Sequence, residues 1–446
     1  MGIKFSAIYL VLLAITIGIE RDIYQEIRVF DPQPATLRTM HELGIPLDHV
    51  RFVKGQYIDL VARDDQVEEL LARGISLAVL VEDMGRRAVK RSVPAVSRVF
   101  PLGSMLGNYT FSEAVARMDS LAARYPQLIA PRQSIGKSIE GRDIWAFKVS
   151  DNPDRDEDEP EVLFTGLTHA REPLGMMNLF YYVQTLCENY GTDAEATFLI
   201  NNREMWFVPV LNPDGYVYNE DIWNTYHRPG YQRKNRRDTG CGKGTQQGID
   251  LNRNYAFDWG ADSIGSSPFP CSETFRGDSA FSEPETDALR RFVSAHDFKN
   301  ILHYHSYGNV LIHSYGDGSY PAEPDLTTLR EIGAEMTREN EYPVGTGVEL
   351  IGYPVNGDAV DWSFGSMGLL SYTPEVGSFQ DNFWPPENRV LPLCQSQYYQ
   401  NKVFSFVAGS DPLLYDYRLP ARVPAPMDTV SFTLIIKNRG LSPTNG

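Results

Sequence analysis

The sequence predicts an α/β chain in two parts: a small α+β unit, then a mixed, largely parallel central sheet with helices on both faces. Three observations carry this. Over residues 105–409, strand-like runs rich in Val, Ile and Phe alternate with runs whose apolar positions recur every three to four residues. That is the pattern of parallel strands joined by crossover helices. Over residues 23–81 the order is strand, helix, strand, strand, helix, strand, which is the ferredoxin-like arrangement. The chain has 446 residues, 42% hydrophobic and 22% charged, the values of a globular protein long enough for more than one domain.

Residues 1–20 come first. Lys4 precedes an uncharged stretch that ends at Glu20 and Arg21, with its densest apolar part at 7–14. This is the size of a secretory signal core and short of the roughly 18–20 residues of a spanning helix. It predicts a secreted, extracellular protein without a membrane span, in a compartment where disulfides persist. In 23–84, Ile27 and Val29 alternate with Arg28, and a helix over 35–43 stops at Gly44. Strands at 50–52 and 57–62 flank the turn Lys54-Gly55-Gln56, a helix over 67–72 stops at Gly74, and 77–81 is a last strand. Residues 85–104 open on Gly85-Arg86-Arg87-Ala88-Val89-Lys90-Arg91-Ser92. This basic cluster without periodicity reads as an exposed linker open to proteases.

In 105–409, Thr110 and Glu113 have capping-box spacing before a helix with Phe111, Ala114, Met118, Leu121 and Tyr125 on one face. Strands follow at 144–149 and 162–167, then a helix carrying Met176, Leu179, Phe180, Val183 and Leu186. Further strands fall at 205–210 and 300–305, and further helices at 284–296, opened by Ser282 and Pro284, and at 326–339. Such sheets bind ligands beyond the carboxyl ends of their strands. In 410–446, Pro412, Pro420, Pro424 and Pro426 mark a linker. The alternation over 429–437 before Asn438-Arg439-Gly440 reads as the start of a truncated β domain.

The formal net charge is −17, which argues against a nucleic-acid partner, because phosphate binding needs a concentrated basic surface. The chemistry concentrates at strand ends. His169 and Glu172 lie three apart at a strand-to-helix turn, where an imidazole and a carboxylate can share a zinc ion. A third ligand is needed from another strand end. His305 closes one strand-like run, and His303, two residues earlier on the same face, competes with it.

Seven segments in order resemble the zinc metallocarboxypeptidases of the A/B and T kind. They are His169-x-x-Glu172, Arg233-Lys234-Asn235-Arg236, Asp250-Leu251-Asn252-Arg253-Asn254, Pro270-Cys271-Ser272-Glu273-Thr274, His305-Ser306-Tyr307, Tyr353 placed eight residues before Asp361-Trp362, and Tyr372-Thr373-Pro374-Glu375. The resemblance implies the zinc carboxypeptidase fold, one Zn2+ per chain held by His169, Glu172 and His305, and hydrolysis of the C-terminal peptide bond. Glu375 would be the general base that deprotonates a zinc-activated water. Arg236 would stand beside the oxyanion, and Asn252 and Arg253 would bind the terminal carboxylate. Tyr353 would cover it as a lid, with Arg171 and Tyr307 contacting the substrate further out.

The segment around Tyr353 would line the pocket of the departing residue. Val348 and Val360 suit hydrophobic side chains, and Asp358 could admit basic ones, so hydrophobic residues are expected first with basic ones tolerated. An Asp358 that only caps the turn after Gly357 is the alternative. Residues 23–84 would be a prosegment shielding the cleft, cleaved near Arg87 or Arg91 by an activating protease. The expected partners are peptides or proteins with a free C-terminus, and a monomer is expected. Cys241 and Cys271 would pair, while Cys187 and Cys394 on helices would be buried thiols. The acidic run 151–159 could hold a structural Ca2+, with a solvated loop the favoured reading. Asn108-Tyr109-Thr110 is a glycosylation sequon. Two other functions fit parts of the pattern. A peptidoglycan-type zinc endopeptidase or amidase would share the fold, but Arg236, Asn252, Arg253 and Tyr353 argue for capture of a free carboxylate. A non-catalytic binding module is opposed by the intact set of His169, Glu172, His305 and Glu375.

Overall fold

A computed structural model of the chain describes residues 22–47, 49–53, 55–92, 100–242, 244–418 and 433–443. The alternation around Arg28 becomes strand β1 (Tyr24–Phe30), with Ile27 and Val29 fully buried while Arg28 pairs with Asp59 at 2.7 Å. Helix α1 (Pro34–Glu42) starts on its proline and ends before Gly44, which takes a φ of +69° that only glycine adopts without strain. Then come β2 (Arg51–Val53), β3 (Tyr57–Arg63), α2 (Asp64–Ala72) and β4 (Leu77–Val81). The sheet order is β2-β3-β1-β4, with β1 antiparallel to both neighbours. Ile27, Val29, Ile58 and Leu60 of the strands and Met40, Val67 and Leu70 of the helices form its core.

The segment read as an irregular linker departs from that reading at its start. Residues Met84–Arg91 form helix α3, capped by Asp83, whose side chain accepts from Arg86 N. Met84 and Ala88, four apart, are both buried, and one such pair is enough to seat a short helix on a neighbouring surface. Residues 93–99 lie outside the described residues.

The larger body contains α4 (Phe111–Arg124), β5 (Gln133–Lys137), β6 (Asp143–Val149), β7 (Glu161–Thr165), α5 (Leu174–Asn189), α6 (Ala194–Ile200), β8 (Glu204–Val208) and α7 (Pro213–Tyr226). It continues with α8 (Pro284–Ser294), β9 (Phe298–His303), β10 (Val310–Ile312), α9 (Asp325–Met336), β11 (Val344–Gly345), α10 (Gly347–Ile351) and α11 (Ala359–Asp361). It closes with β12 (Leu370–Glu375), α12 (Glu387–Ser396) and α13 (Tyr398–Val407). The Thr110/Glu113 capping box forms as expected. The eight strands run β11-β10-β12-β9-β7-β8-β6-β5. The central four, β12, β9, β7 and β8, are mutually parallel, and β6, β5 and β10 are antiparallel to their inner neighbours.

Helices cover both faces, so each central strand is apolar on both sides. Val162 and Phe164 of β7 pack in one cluster with Phe180, Phe207, Tyr372 and Phe404. Leu163, between them, packs on the opposite face with Trp206, Leu289, Ile301 and Trp362. Each such burial contributes about 1.5–3 kcal/mol before entropy is counted. Gly175 lets α5 sit against the end of β9: a methyl there would stand 2.7 Å from Tyr304 Cβ.

The tail also differs from its expectation. Pro412–Arg418, read as linker, is strand β13, paired antiparallel with β14 (Thr433–Asn438). Pro412 is tolerated because it is the first residue of its strand. Residues 429–432 of the expected strand, and the apolar stretch of 1–20, lie outside the described residues. Among the described residues no helix is long and apolar enough to cross a membrane.

Candidate metal centre and cleft

Strands β7, β9 and β12 are adjacent, and their carboxyl ends deliver the candidate residues to one place. β7 stops at Thr165, and the turn into α5 carries His169 and Glu172, with Glu172 N donating to His169 O at 3.1 Å. His305 lies two residues beyond β9 and is stitched to β12: its N donates to Pro374 O and its O accepts from Val376 N, both at 2.9 Å. That pairing sets His305 beside Glu375, the last residue of β12.

The donor atoms converge. His169 Nδ1 and His305 Nδ1 stand 3.0 Å apart, and each is 2.9 Å from an oxygen of Glu172. All three side chains are buried. Burial opposes the charge on Glu172, but the flanking histidines hold its carboxyl well below the usual range. Burial pushes His305 down to about 4, so its imidazole is neutral at pH 7. Two imidazole nitrogens and a carboxylate at this spacing form a donor set that fits zinc. On the far side of the ring, His169 Nε2 faces Asp250 Oδ1 at 3.2 Å, an outer partner that fixes the tautomer and leaves Nδ1 for a metal. Burial works against charge on Asp250 too, yet Arg233 and Arg253 hold it far below the normal carboxylate range.

His303 is settled by its partners. Its Nδ1 meets Thr165 Oγ1 at 2.9 Å and its Nε2 meets Ser363 Oγ at 3.0 Å. Both nitrogens are used, and it is a hydrogen-bonded core residue. The acidic run brings Asp151, Glu157 and Glu159 within reach of one ion. Nothing beyond that grouping supports calcium.

His169, Asn252, Arg253, Asp358, Val360 and Glu375 line one cavity, joined by Ile312, Ile351, Val355 and Thr373. Asn252 and Arg253 sit in a short 3-10 turn (Leu251–Arg253) capped by Asp250, whose side chain accepts from Asn252 N. The disulfide Cys241–Cys271, with Cα atoms 5.2 Å apart, closes the loop that holds this turn. Asp358 does both things weighed for it: it accepts from Asp361 N at 3.3 Å as a cap and it lines the cavity. Burial raises it to about 6, with Arg253 pulling the other way.

Other expected residues lie elsewhere. Val348 is 36% exposed and not part of the cavity wall; Ile351 and Val355 hold that place, and their segment was predicted while their register was not. Tyr353 is buried, its hydroxyl donating to Ile264 O at 2.7 Å. Arg236 donates to Gln232 Oε1 and Gly244 O, both at 3.1 Å, and stacks on Tyr218. Arg171 pairs with Glu273 at 3.3 Å and lies over Phe383. The Tyr307 hydroxyl accepts from Asn382 Nδ2 at 3.2 Å. Cys187 and Cys394 are buried thiols. The Asn108 sequon is overturned as a surface site: its side chain is fully buried and donates to Met105 O and Leu106 O.

A buried His–Glu–His set beyond the carboxyl ends of a parallel sheet, beside a cavity holding another carboxylate, defines a metal-dependent hydrolase. Residues 114–400 match the family model of the zinc carboxypeptidases. A zinc carboxypeptidase of Saccharothrix mutabilis subsp. capreolus is 31% identical over 325 residues, 70% of this chain and 71% of its own. A protein of Ajellomyces dermatitidis named inactive metallocarboxypeptidase ECM14 is 30% identical over 332 residues, 66% of this chain and 53% of its own. The crystal structure of the carboxypeptidase A from Helicoverpa armigera superimposes with a TM-score of 0.70 at 26% identity, covering 88% of this chain and 98% of that one. The chain belongs to the zinc carboxypeptidase family. It is a peptide hydrolase, a zinc-dependent exopeptidase acting at C-termini.

Proposed function

We propose that this chain is a secreted zymogen whose larger body removes hydrophobic C-terminal residues, with basic ones admitted. The observation that carries it is the shared cavity: His169, Glu375, Asn252 and Arg253 face one space, so a metal ligand, a base and a carboxylate-binding pair meet one substrate end. His169, Glu172 and His305 would hold Zn2+, which when bound supplies a Lewis acid for the scissile carbonyl. Glu375 takes the proton of the attacking water and passes it to the leaving amine. Arg253 pairs with the terminal carboxylate, and Asn252 adds a hydrogen bond. Ile312, Ile351, Val355 and Val360 bury the departing side chain, and Asp358 receives the head group of Lys or Arg. Arg236 and Tyr353 take their expected posts only by leaving Gln232, Gly244 and Ile264, which calls for movement on substrate binding.

The zymogen reading is supported by the N-terminal domain's contact with the cleft: His49 Nδ1 stands 3.2 Å from Tyr307 O and its Nε2 3.5 Å from Glu172 Oε1. Secretion is supported by the apolar stretch of 1–20 and by the disulfide. The test uses trimmed protein, zinc and peptide pairs that differ only in a free or amidated C-terminus. Release from the free form alone, lowered roughly 10²–10⁴-fold by Glu375→Gln with zinc retained, is the expected result. Equal cleavage of the amidated peptide would reject exopeptidase action and favour the endopeptidase reading.

A further inference from the structure

Asp361 lies behind the wall of the cavity, 2% exposed, in the last turn of α11. It fastens two segments of that wall together. Its N donates to Asp358 Oδ1 at 3.3 Å, and its own Oδ2 accepts from Gly316 N at 2.8 Å. Asp358 and Gly316 both line the cavity. Gly316 O in turn accepts from Val355 N at 2.9 Å, which ties a third lining residue to the same carboxyl. A methyl on Gly316 would stand 2.8 Å from Val355 O and 3.2 Å from Asp361 Oδ2, so the wall packs directly on the carboxyl.

The other oxygen, Asp361 Oδ1, is buried and accepts no hydrogen bond among the described residues. The nearby Ser314 hydroxyl donates to Val360 O at 3.4 Å instead. An ionised carboxyl with a bare, buried oxygen is costly, and a proton removes that charge.

Charge around the two carboxyls is one-sided. Arg253, Tyr255 and Asp258 face Asp358, while Tyr315 and Asp317 face Asp361. One cation among these groups thus stands against two buried carboxyls, and Arg253 is the residue that takes the substrate's terminal carboxylate. Carboxyls crowded in this way do not both ionise readily, and their protons leave in two steps that belong to the pair. Burial and the neighbouring Asp358 accordingly hold Asp361 well above the usual carboxyl range, against the pull of Gly316 N.

Resting on the reading of Asp358 as the acceptor of basic side chains, we propose that Asp361 is a positioning residue that makes recognition of a C-terminal Lys or Arg proton-linked. With the cavity empty or filled by an apolar side chain, the pair keeps one proton and carries a single negative charge. An ammonium or guanidinium seated against Asp358 sends that proton from Asp361 to solvent. The wall then gains a charge that no apolar side chain elicits. An opposite charge within ~4–6 Å lowers a carboxyl by about 1–3 pH units, the size of response this exchange needs. Discrimination between basic and apolar residues therefore extends above the pH range of Asp358 alone.

Proton release measures this directly. The zinc-loaded chain carrying Glu375→Gln, cut within 85–104, is titrated by calorimetry with blocked dipeptides ending in Leu or Lys. Buffers of differing ionisation enthalpy, from pH 5 to 9, give the protons released. Near pH 6 the Lys peptide is expected to release more than the Leu peptide, because Asp358 titrates there. Above pH 7 an excess approaching about one proton is expected to persist. That excess should vanish when Asp361→Asn is added, a change that keeps an acceptor for Gly316 N. The infrared carbonyl band of a buried protonated carboxyl, bleached by the Lys peptide and untouched by the Leu peptide, is a second readout independent of the Asp361 variant. No excess above pH 7, an excess that Asp361→Asn retains, or a band that Lys leaves in place overturns the proposal. Lys affinity unaltered by Asp358→Asn would reject the cation's seat and this proposal with it. Failure of both peptides to bind would reject capture of the C-terminus itself, and the role of Asp361 with it.

Discussion

His169 and Asp250 are joined at 3.2 Å through Nε2 and Oδ1, and the same oxygen accepts from Asn252 N at 3.0 Å. One carboxylate therefore orients a metal ligand and anchors the turn that carries Asn252 and Arg253. Its charge is maintained by Arg233 at 3.0 Å. Asp250→Asn keeps the shape and removes the charge. The expected result is a zinc Kd roughly 10–100-fold higher, with a rise in KM from the loosened turn. Competition against a chromophoric chelator measures the first effect; an unchanged Kd would show that Asp250 serves the turn alone.

Asp358 predicts a pH-dependent preference. Its carboxyl is raised to about 6 by burial. Above that pH it is charged and attracts a C-terminal Lys; below it, it is neutral and does not. The ratio of Lys to Leu release by the trimmed enzyme should therefore fall as pH drops from 7.5 to 5, with its midpoint near 6. Asp358→Asn should lower the ratio at pH 7.5 and flatten its dependence. Parallel profiles for wild type and variant would assign the residue to capping α11 alone.

Much of this was legible in the sequence, for identifiable reasons. Strands β6, β7 and β9 and helices α4, α5, α8 and α9 carry unbroken apolar periodicity, so burial announces them. His169, Glu172, His305 and Glu375 stand in segments whose order and spacing are specific. Strands β10 and β11 are three and two residues long, too short for a period to register. Helix α3 departs from the linker reading because its basic residues dominate and its buried face is carried by Met84, Gly85 and Ala88 alone. Spacing alone left His303 and His305 in competition and the family resemblance chose His305; the physical reason lies in Thr165 and Ser363, distant in sequence, which occupy both nitrogens of His303. The contacts of His49 with Tyr307 and Glu172 were not legible, because nothing local in that loop distinguishes it from a solvated one.

The disulfide should matter for the cleft as well as for stability. It closes 30 residues, worth about 3–4 kcal/mol on the chain-entropy estimate. The loop contains Asn252 and Arg253. The double variant Cys241→Ser, Cys271→Ser should lose about that much in denaturant unfolding and should raise KM more than it lowers kcat. A variant with reduced stability and unaltered KM would show that the carboxylate-binding turn holds its shape through Asp250 without the bridge.

Glu273 ties the two domains through charge. It stands 3.6 Å from Arg63 Nη1 of the N-terminal domain and 3.3 Å from Arg171 Nη1 of the body, with all three side chains buried. Breaking a buried pair by removing one partner costs about 3–5 kcal/mol, and here that cost falls on the domain contact, because Arg171 still satisfies Glu273 in the body. Arg63→Met preserves the aliphatic stem and deletes the cation. The expected outcome is an N-terminal domain that detaches more readily: faster tryptic cleavage within 85–104 and measurable peptidase activity before cleavage. After cleavage the variant and wild type should be indistinguishable, since Arg63 departs with the severed domain. Unchanged cleavage kinetics together with a silent uncleaved variant would show that the contacts of Tyr24, Gly44, His49 and Arg91 hold the domain without this pair.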